Sequence, residues 1–390
     1  HFFYFYFDFN VGSWALSHSL HHWINDGLMA IFFFLIGLEI KREITAGELS
    51  NLKVAILPIL AAIGGMVFPA LIYTSLNYET VGSAGWGIPM ATDIAFAISA
   101  LVLLGKRVPT ALVTFLVALA IVDDLGAVIV IALFYTDTIN MMALSLAGLM
   151  FVLMLAFNRF GIHMLLPYFI VGLLMWFFML ESGVHATIAG VLAALAIPST
   201  PKRVPSTLTK EAKVLLDEYD KYPVDENYQI NEEQKRILTN IRNKINEVET
   251  PAARLEHNLH LPVALIIIPI FALANAGIKI DFSSISTTIV EPVSLGIILG
   301  LIFGKVIGIF GVSYVAVKLK IAQLPKDSTL SQVFGVAFLG GIGFTMSIFV
   351  ADLAFINNPE LILQAKIGIL SASLFSALFG YLWLRTISKK

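Results

Sequence analysis

The sequence predicts an all-α polytopic membrane protein with two interrupted helices and a short N-terminal β-hairpin. Three observations predict it. Of 390 residues, 58% are hydrophobic and only 13% charged, against about 25% charged in a soluble domain. The charges cluster and leave long apolar stretches between them. A bilayer core of roughly 30 Å needs about 20 apolar residues per helix, and the uncharged stretches reach that length repeatedly. Finally, two of them carry clustered glycines, one with a proline, where an intact helix would not.

Taken in order, residues 1–18 read as an extramembrane hairpin. In "HFFYFYFDFNVGSW", Phe3, Phe5, Phe7 and Phe9 alternate with Tyr4, Tyr6, Asp8 and Asn10, which is a strand period. An exposed apolar edge pairs with other strands, so a homodimer contact is expected here. An aromatic anchor at the lipid surface is the alternative.

Eleven spans follow, at 19–40, 54–76, 84–104, 109–134, 139–158, 162–180, 183–198, 259–278, 292–316, 331–356 and 361–385. Residues 19–198 hold seven of them and 258–390 hold four. Between lies a polar insert, 199–257, bounded by Pro198, Pro201, Pro205 and Pro251. Ile237, Ile241, Ile245 and Val248 recur there at helical spacing.

Orientation follows from lysine and arginine. Lys41, Arg42, Lys53, Lys106, Arg107, Arg159, the cluster from Lys202 to Arg254, Lys318, Lys320, Lys326, Arg385, Lys389 and Lys390 fall on one side; Lys279 and Lys366 fall on the other. The first side is expected to be cytoplasmic, with the insert and the C-terminus. The formal net charge of −2 and the absence of a basic domain exclude nucleic acid as a natural partner. There is no cysteine, hence no disulfide or thiolate chemistry. The chain starts at His1 without a methionine, and a truncated N-terminus is expected.

Ionisable residues at bilayer depth cost at least about 2.5–3.5 kcal/mol each and mark function by default. Asp93, Asp123, Asp124, His185 and Lys305 stand out. Neighbours on a helix point about 100° apart, so one of Asp123 and Asp124 can face an ion cavity while the other turns to an adjacent helix. Lys305 is the natural partner for that other one. His185, near Ser182 and Thr187, reads chiefly as an interhelical hydrogen-bonding residue, with a pH-modulating role as the minority reading.

"GWGIPMATDIAFAISALVLLG" carries Gly87, Pro89, Thr92 and Asp93; "FGVAFLGGIGFTMSIFVADLAF" carries Gly340, Gly341, Gly343 and Thr345. Such residues let a helix unwind at mid-membrane, where Asp93 could neutralise the positive half-helix ends and Lys305 the negative ones. Close helix packing is the alternative use of these glycines. The breaks are central to the triplets 54–134 and 292–385 and enter from opposite sides. This is the pattern of an inverted repeat in a secondary transporter, with the ion site between the halves.

"WINDGLMAIFFFLIGLEIKRE", "GWGIPMATDIAFA", "ALAIVDDLGAVIVIALFYT", "SGVHATIAGV", "RLEHNLHLP", "PIFALANAG" and "GIGFTMSIF" together resemble the NhaA family of bacterial sodium/proton antiporters, in family order and over nearly the whole chain. The inverted-repeat architecture was itself described from that family among others, so it is not independent support. The resemblance implies a twelve-helix, homodimeric inner-membrane protein that exports Na⁺ or Li⁺ in exchange for protons. It makes Asp124 the central ion ligand and Asp123 a participant that pairs with Lys305. Thr92 and Asp93 map to the Thr-Asp of the first broken helix. Glu39, Arg42, Glu43, Glu256, His257 and His260 match the pH-sensing residues at the cytoplasmic mouth, and the N-terminal stretch matches the dimer hairpin. Three departures stand out. The first family helix is missing, as expected of an incomplete chain. The 199–257 insert is longer than usual, which leaves its role open. Asp352 lies in the second broken helix where no charge belongs, and is expected to be exposed near the outer end.

The expected mechanism is competition: a carboxyl taken out of water retains its proton more tightly, and Na⁺ displaces that proton. Carboxylate, hydroxyl and carbonyl oxygens suit a small hard cation. No cofactor is expected, and no "GxxxxGK[ST]" loop is present for ATP. The rivals are a sodium-coupled symporter of an organic substrate, a cation channel and an intramembrane aspartyl protease. The protease has no use for adjacent Asp124 or for Lys305, and no HExxH run suggests a metalloprotease.

Overall fold

The computed structural model describes residues 6–11, 14–136, 139–202, 205–222, 230–277, 285–356 and 358–387. Lys279, Lys389, Lys390 and Phe3 to Phe5 of the aromatic alternation lie outside them.

Strands β1 (Tyr6–Val11) and β2 (Trp14–Ser19) pair antiparallel, with Tyr6 opposite Ser19 and Val11 opposite Trp14. The principal helices follow as α1 (Leu20–Thr45), α2 (Leu52–Asn77), α3 (Val81–Met90), α4 (Ile94–Val102), α5 (Thr110–Phe134), α6 (Met141–Arg159), α7 (Leu165–Glu181), α8 (Thr187–Ala196), α9 (Pro205–Tyr219), α10 (Glu232–Val248), α11 (Pro251–Asn275), α12 (Pro292–Lys318), α13 (Leu330–Leu339), α14 (Phe344–Ala354) and α15 (Pro359–Ile387).

Among the described residues, eight helical segments are long and apolar enough to cross a bilayer, with α3 and α4 counted as one, and α13 with α14 makes a ninth. The protein is therefore a multi-pass membrane protein. The other two expected spans are the shorter apolar helices α7 and α8. The segment read as 183–198 begins its helix only at Thr187. Gly183, at φ +79°, takes the backbone into the left-handed region and ends α7 before the next helix can start.

Both interruptions fall where glycines and a threonine collect, with a proline at the first. Helix α3 is wound tightly, in the 3₁₀ manner, and contains Gly87 and Pro89. Ala91, Thr92 and Asp93 are unwound before α4. Helices α13 and α14 are separated by 340–343 and bent by 47°. Lys305 lies between two stretches of widened, π-type turns, Gly300–Gly304 and Val306–Gly311, a distortion common at functional sites. Gly304 and Gly308 let this helix press on α2. A Cβ on Gly304 would stand 2.7 Å from Cα of Pro69, and one on Gly308 would run into the Gly64 carbonyl. Small residues at such spacing permit close backbone approach in membranes.

Aromatic contacts tie three helices together beside the second break: the Phe349 ring on α14 lies 5.7 Å from Phe33 on α1 and 6.1 Å from Phe271 on α11. In the polar insert, α9 and α10 pack on each other. Asn231 and Gln234 cap α10 reciprocally, Lys244 pairs with Glu211, and Ile237 is buried while Ile245 remains half exposed.

Candidate functional site

The two interruptions meet through Asp93. It caps α4, where the Phe96 amide N–H donates to Oδ1 at 3.4 Å. The Thr345 amide N–H, from the first turn of α14, donates to Oδ2 at 3.0 Å, and the Thr345 hydroxyl donates to the same oxygen. One carboxylate thus serves two helix starts, which carry positive partial charge. The Asp93 amide in turn donates to the Ile342 carbonyl at 2.6 Å, so the unwound chains also pair directly.

Thr92 works at the opposite polarity. Its hydroxyl donates to the Gly340 carbonyl at 2.8 Å, at the end of α13, and accepts from Lys305 Nζ at 2.9 Å. The lysine reaches the negative helix end through that hydroxyl. Lys305 Nζ also donates to Asp123 Oδ2 at 2.6 Å, and both side chains are fully buried. Of the two adjacent carboxylates, Asp123 is therefore the one turned to the lysine.

Asp124 is equally buried, yet neither of its oxygens has a hydrogen-bond partner, and Asp123 Oδ1 has none. Leaving a buried polar atom unpaired costs about 1–3 kcal/mol, more for a charged group, so three such oxygens together call for a ligand. Asp124 lies within electrostatic reach of Asp123, Asp93, Glu39 and Lys305. The arrangement presents hard oxygen donors beside one compensated charge and one uncompensated one. That donor set fits a small cation or a proton.

A family model described as Na⁺/H⁺ antiporter 1 matches residues 1–384. The chain belongs to the Na⁺/H⁺ antiporter 1 family. It is 67% identical over 382 residues to the Na⁺/H⁺ antiporter NhaA of Sulfurimonas denitrificans, covering 98% of this chain and 86% of that protein. It is 50% identical to NhaA 1 of Saccharophagus degradans, over 97% of this chain and 82% of the relative, and 50% identical to NhaA of Dichelobacter nodosus at the same coverage. These relatives are named as transporters, not enzymes. The resemblance carried by the sequence motifs therefore stands.

In this member of the family, the residues matched to pH sensing gather where the end of α1 meets α11. Arg42 donates to Glu43 at 3.0 Å and also to Glu256, and the Glu48 amide donates to Glu43 at 3.0 Å. His260 Nδ1 lies 4.0 Å from Glu39. His257 is exposed and makes none of these contacts.

His185 lies in the turn before α8, and its Nε2 is 2.8 Å from the Tyr135 carbonyl. The expected interhelical bond exists, but it goes to the end of α5 instead of Ser182 or Thr187. Tyr135 also ties the first interrupted helix: its hydroxyl donates to the Ala84 carbonyl at 2.8 Å and accepts from the Gly87 amide at 3.1 Å.

Asp352 departs from expectation. Its side chain is only 11% exposed and its Oδ1 lies 3.0 Å from Lys366 Nζ, itself 12% exposed. The carboxylate is covered because α15 folds back along α14 and brings a counter-charge with it.

Two site residues escaped the sequence reading. Thr345 was legible only as part of a break, although a threonine in the first turn after glycines is a common side-chain donor. Ser373, whose Oγ accepts from the Gly343 and Phe344 amides at 3.2 and 3.1 Å, left no local signal.

Proposed function

We propose that the chain is a secondary antiporter that exports Na⁺, and also Li⁺, across the bacterial inner membrane in exchange for protons. The observation that carries this reading is the buried Asp124 carboxylate, unpartnered on both oxygens, beside an Asp123 held by Lys305. A carboxyl in that position satisfies itself either by binding a proton or by binding a cation, and the two exclude each other. Asp124 is the shared ligand. Asp123 contributes its free Oδ1 and passes its other oxygen between the cation and Lys305. Thr92 and Asp93 hold the interrupted ends in register, so that the backbone around the site survives motion of one repeat against the other. Alternating access by rocking of inverted repeats fits the two helix interruptions that meet at Asp93.

More than one proton is exchanged per Na⁺, because cation binding alters both Asp124 and the Asp123–Lys305 pair; transport is therefore electrogenic. The group formed by Glu39, Arg42, Glu43, Glu256 and His260 adjusts activity to cytoplasmic pH. The hairpin joins two copies of the chain, while the long insert and the C-terminus face the cytoplasm. A sodium symporter would need an additional polar chamber for an organic substrate, and the donors gathered here are matched to ions alone.

Everted vesicles loaded with a proton-sensitive dye test the reading. Addition of Na⁺ or Li⁺ should dequench the dye, and K⁺ should not. Absence of Na⁺-driven proton movement would remove the proposal.

A further inference from the structure

Helix α14 starts at Phe344, and Gly343 is the residue before it. A helix start leaves its first N–H groups without partners inside the helix, and the side chain just before it commonly supplies an oxygen. Gly343 has no side chain to do so. Nor is there room for one: a Cβ there would run into Ser347 Oγ, whose hydroxyl donates to the Ile88 carbonyl of α3 at 2.8 Å. The acceptors come from other helices instead. Asp93 takes the Thr345 amide at 3.0 Å. Ser373 Oγ, on α15, takes the amides of Gly343 and Phe344 at 3.2 and 3.1 Å.

Ser373 is itself buried. An oxygen that accepts from two amides turns its own hydrogen away from them, so the negative end of the hydroxyl faces the start of α14. That start carries positive partial charge. It is bonded to Asp93, and Asp93 lies within electrostatic reach of Asp124. Charge left uncovered at α14 therefore opposes a cation and a proton at Asp124 alike. We propose that Ser373 is a positioning residue of the exchange site: it caps α14 from α15 with a neutral oxygen, and so sets the affinity of Asp124 for both ions that compete there. The inference rests on the exchange reading.

The competition gives this role a signature. For one proton competing with Na⁺, half-saturating Na⁺ is its intrinsic dissociation constant multiplied by one plus the ratio of the proton concentration to the proton dissociation constant. If both constants rise by the same factor, half-saturation rises by that factor at alkaline pH, where protons are scarce. At acidic pH the factors cancel. Damage to Na⁺ coordination alone would raise it equally at every pH.

The test is half-saturating Na⁺ measured in proteoliposomes from acidic to alkaline pH. Ser373→Ala should raise it several-fold at alkaline pH and leave it near the parent's at acidic pH. Ser373→Thr, which keeps the hydroxyl, should restore the parent curve. Ser373→Cys keeps nearly the same volume with a weak acceptor; it should reproduce the alanine defect and serves if the alanine variant fails to fold. Ser376→Ala removes a hydroxyl one turn along the same face of α15 that has no hydrogen-bond partner, and should change nothing. If the folded alanine or cysteine variant keeps the parent's alkaline half-saturation, or raises it by one factor at every pH, or if Ser376→Ala shows the same defect, Ser373 does not act through this cap. Parent protein that exchanges normally in the same vesicles separates that failure from failure of the exchange reading itself.

Discussion

Asp93 and Thr345 are 252 positions apart in the chain, and the Thr345 amide donates to the Asp93 carboxylate at 3.0 Å. Through this bond the starts of α4 and α14 share one negative charge. Replacement of Asp93 by Ala removes the acceptor for both. Loss of a single helix cap costs roughly 0.5–2 kcal/mol, so Asp93→Ala should lower the thermal midpoint in detergent. Asp93→Asn, which keeps an oxygen acceptor, should recover most of that stability without recovering full exchange. An alanine variant as stable as the parent contradicts the shared-cap account.

Lys305 is the only cation bonded to Asp123, among the described residues. Breaking a buried ion pair by removing one partner costs about 3–5 kcal/mol, so Lys305→Gln should be visibly less stable. Electrogenic exchange responds to membrane potential at about 2.3 kcal/mol per net charge per 100 mV. Parent protein in liposomes should therefore respond to a potassium-diffusion potential set with valinomycin. The folded lysine variant should lose that response before it loses all exchange. A variant with the full voltage response shows that Lys305 does not carry the additional proton.

At the junction of α1 and α11, Arg42 bonds both Glu43 and Glu256. His260 stands 4.0 Å from Glu39, so acidic and basic side chains of the two helices face each other there. Glu256→Gln should move the activity–pH curve along the pH axis while the maximal rate is retained. Equal slowing at every pH assigns the group to ion passage instead.

The antiparallel pairing of Tyr6–Val11 with Trp14–Ser19 leaves outer strand edges. Deletion of Phe2 to Phe9 should yield active monomers, measured by light scattering in detergent and by exchange in liposomes. A deletion variant that stays dimeric excludes the hairpin as the contact.

Much of this organisation is legible in the sequence because the bilayer penalises departures so strongly. Uncharged stretches mark the spans, glycine and proline mark the breaks, and Asp93, Asp123, Asp124 and Lys305 stand out as charges with no reason to be there otherwise. Partner choice is less legible. Which aspartate turns to Lys305 depends on how α5 and α12 sit against each other. Composition near Asp123 does not encode it. The Thr345–Asp93 bond is hidden for the same reason, and so is the burial of Asp352, which follows from α15 folding back along α14. The late start of α8 at Thr187 turns on Gly183, whose positive φ ends α7; a glycine in the sequence does not by itself reveal its φ.

The central claim is that the unpartnered Asp124 carboxylate trades a proton for a cation. Asparagine preserves its volume and removes that trade. The direct measurement is Na⁺-driven proton flux through purified Asp124→Asn protein in proteoliposomes, with folding checked by its thermal midpoint. The account predicts a folded variant, at least as stable as the parent because a buried charge is gone, with no exchange at any pH. Near-parent flux in that folded variant contradicts it.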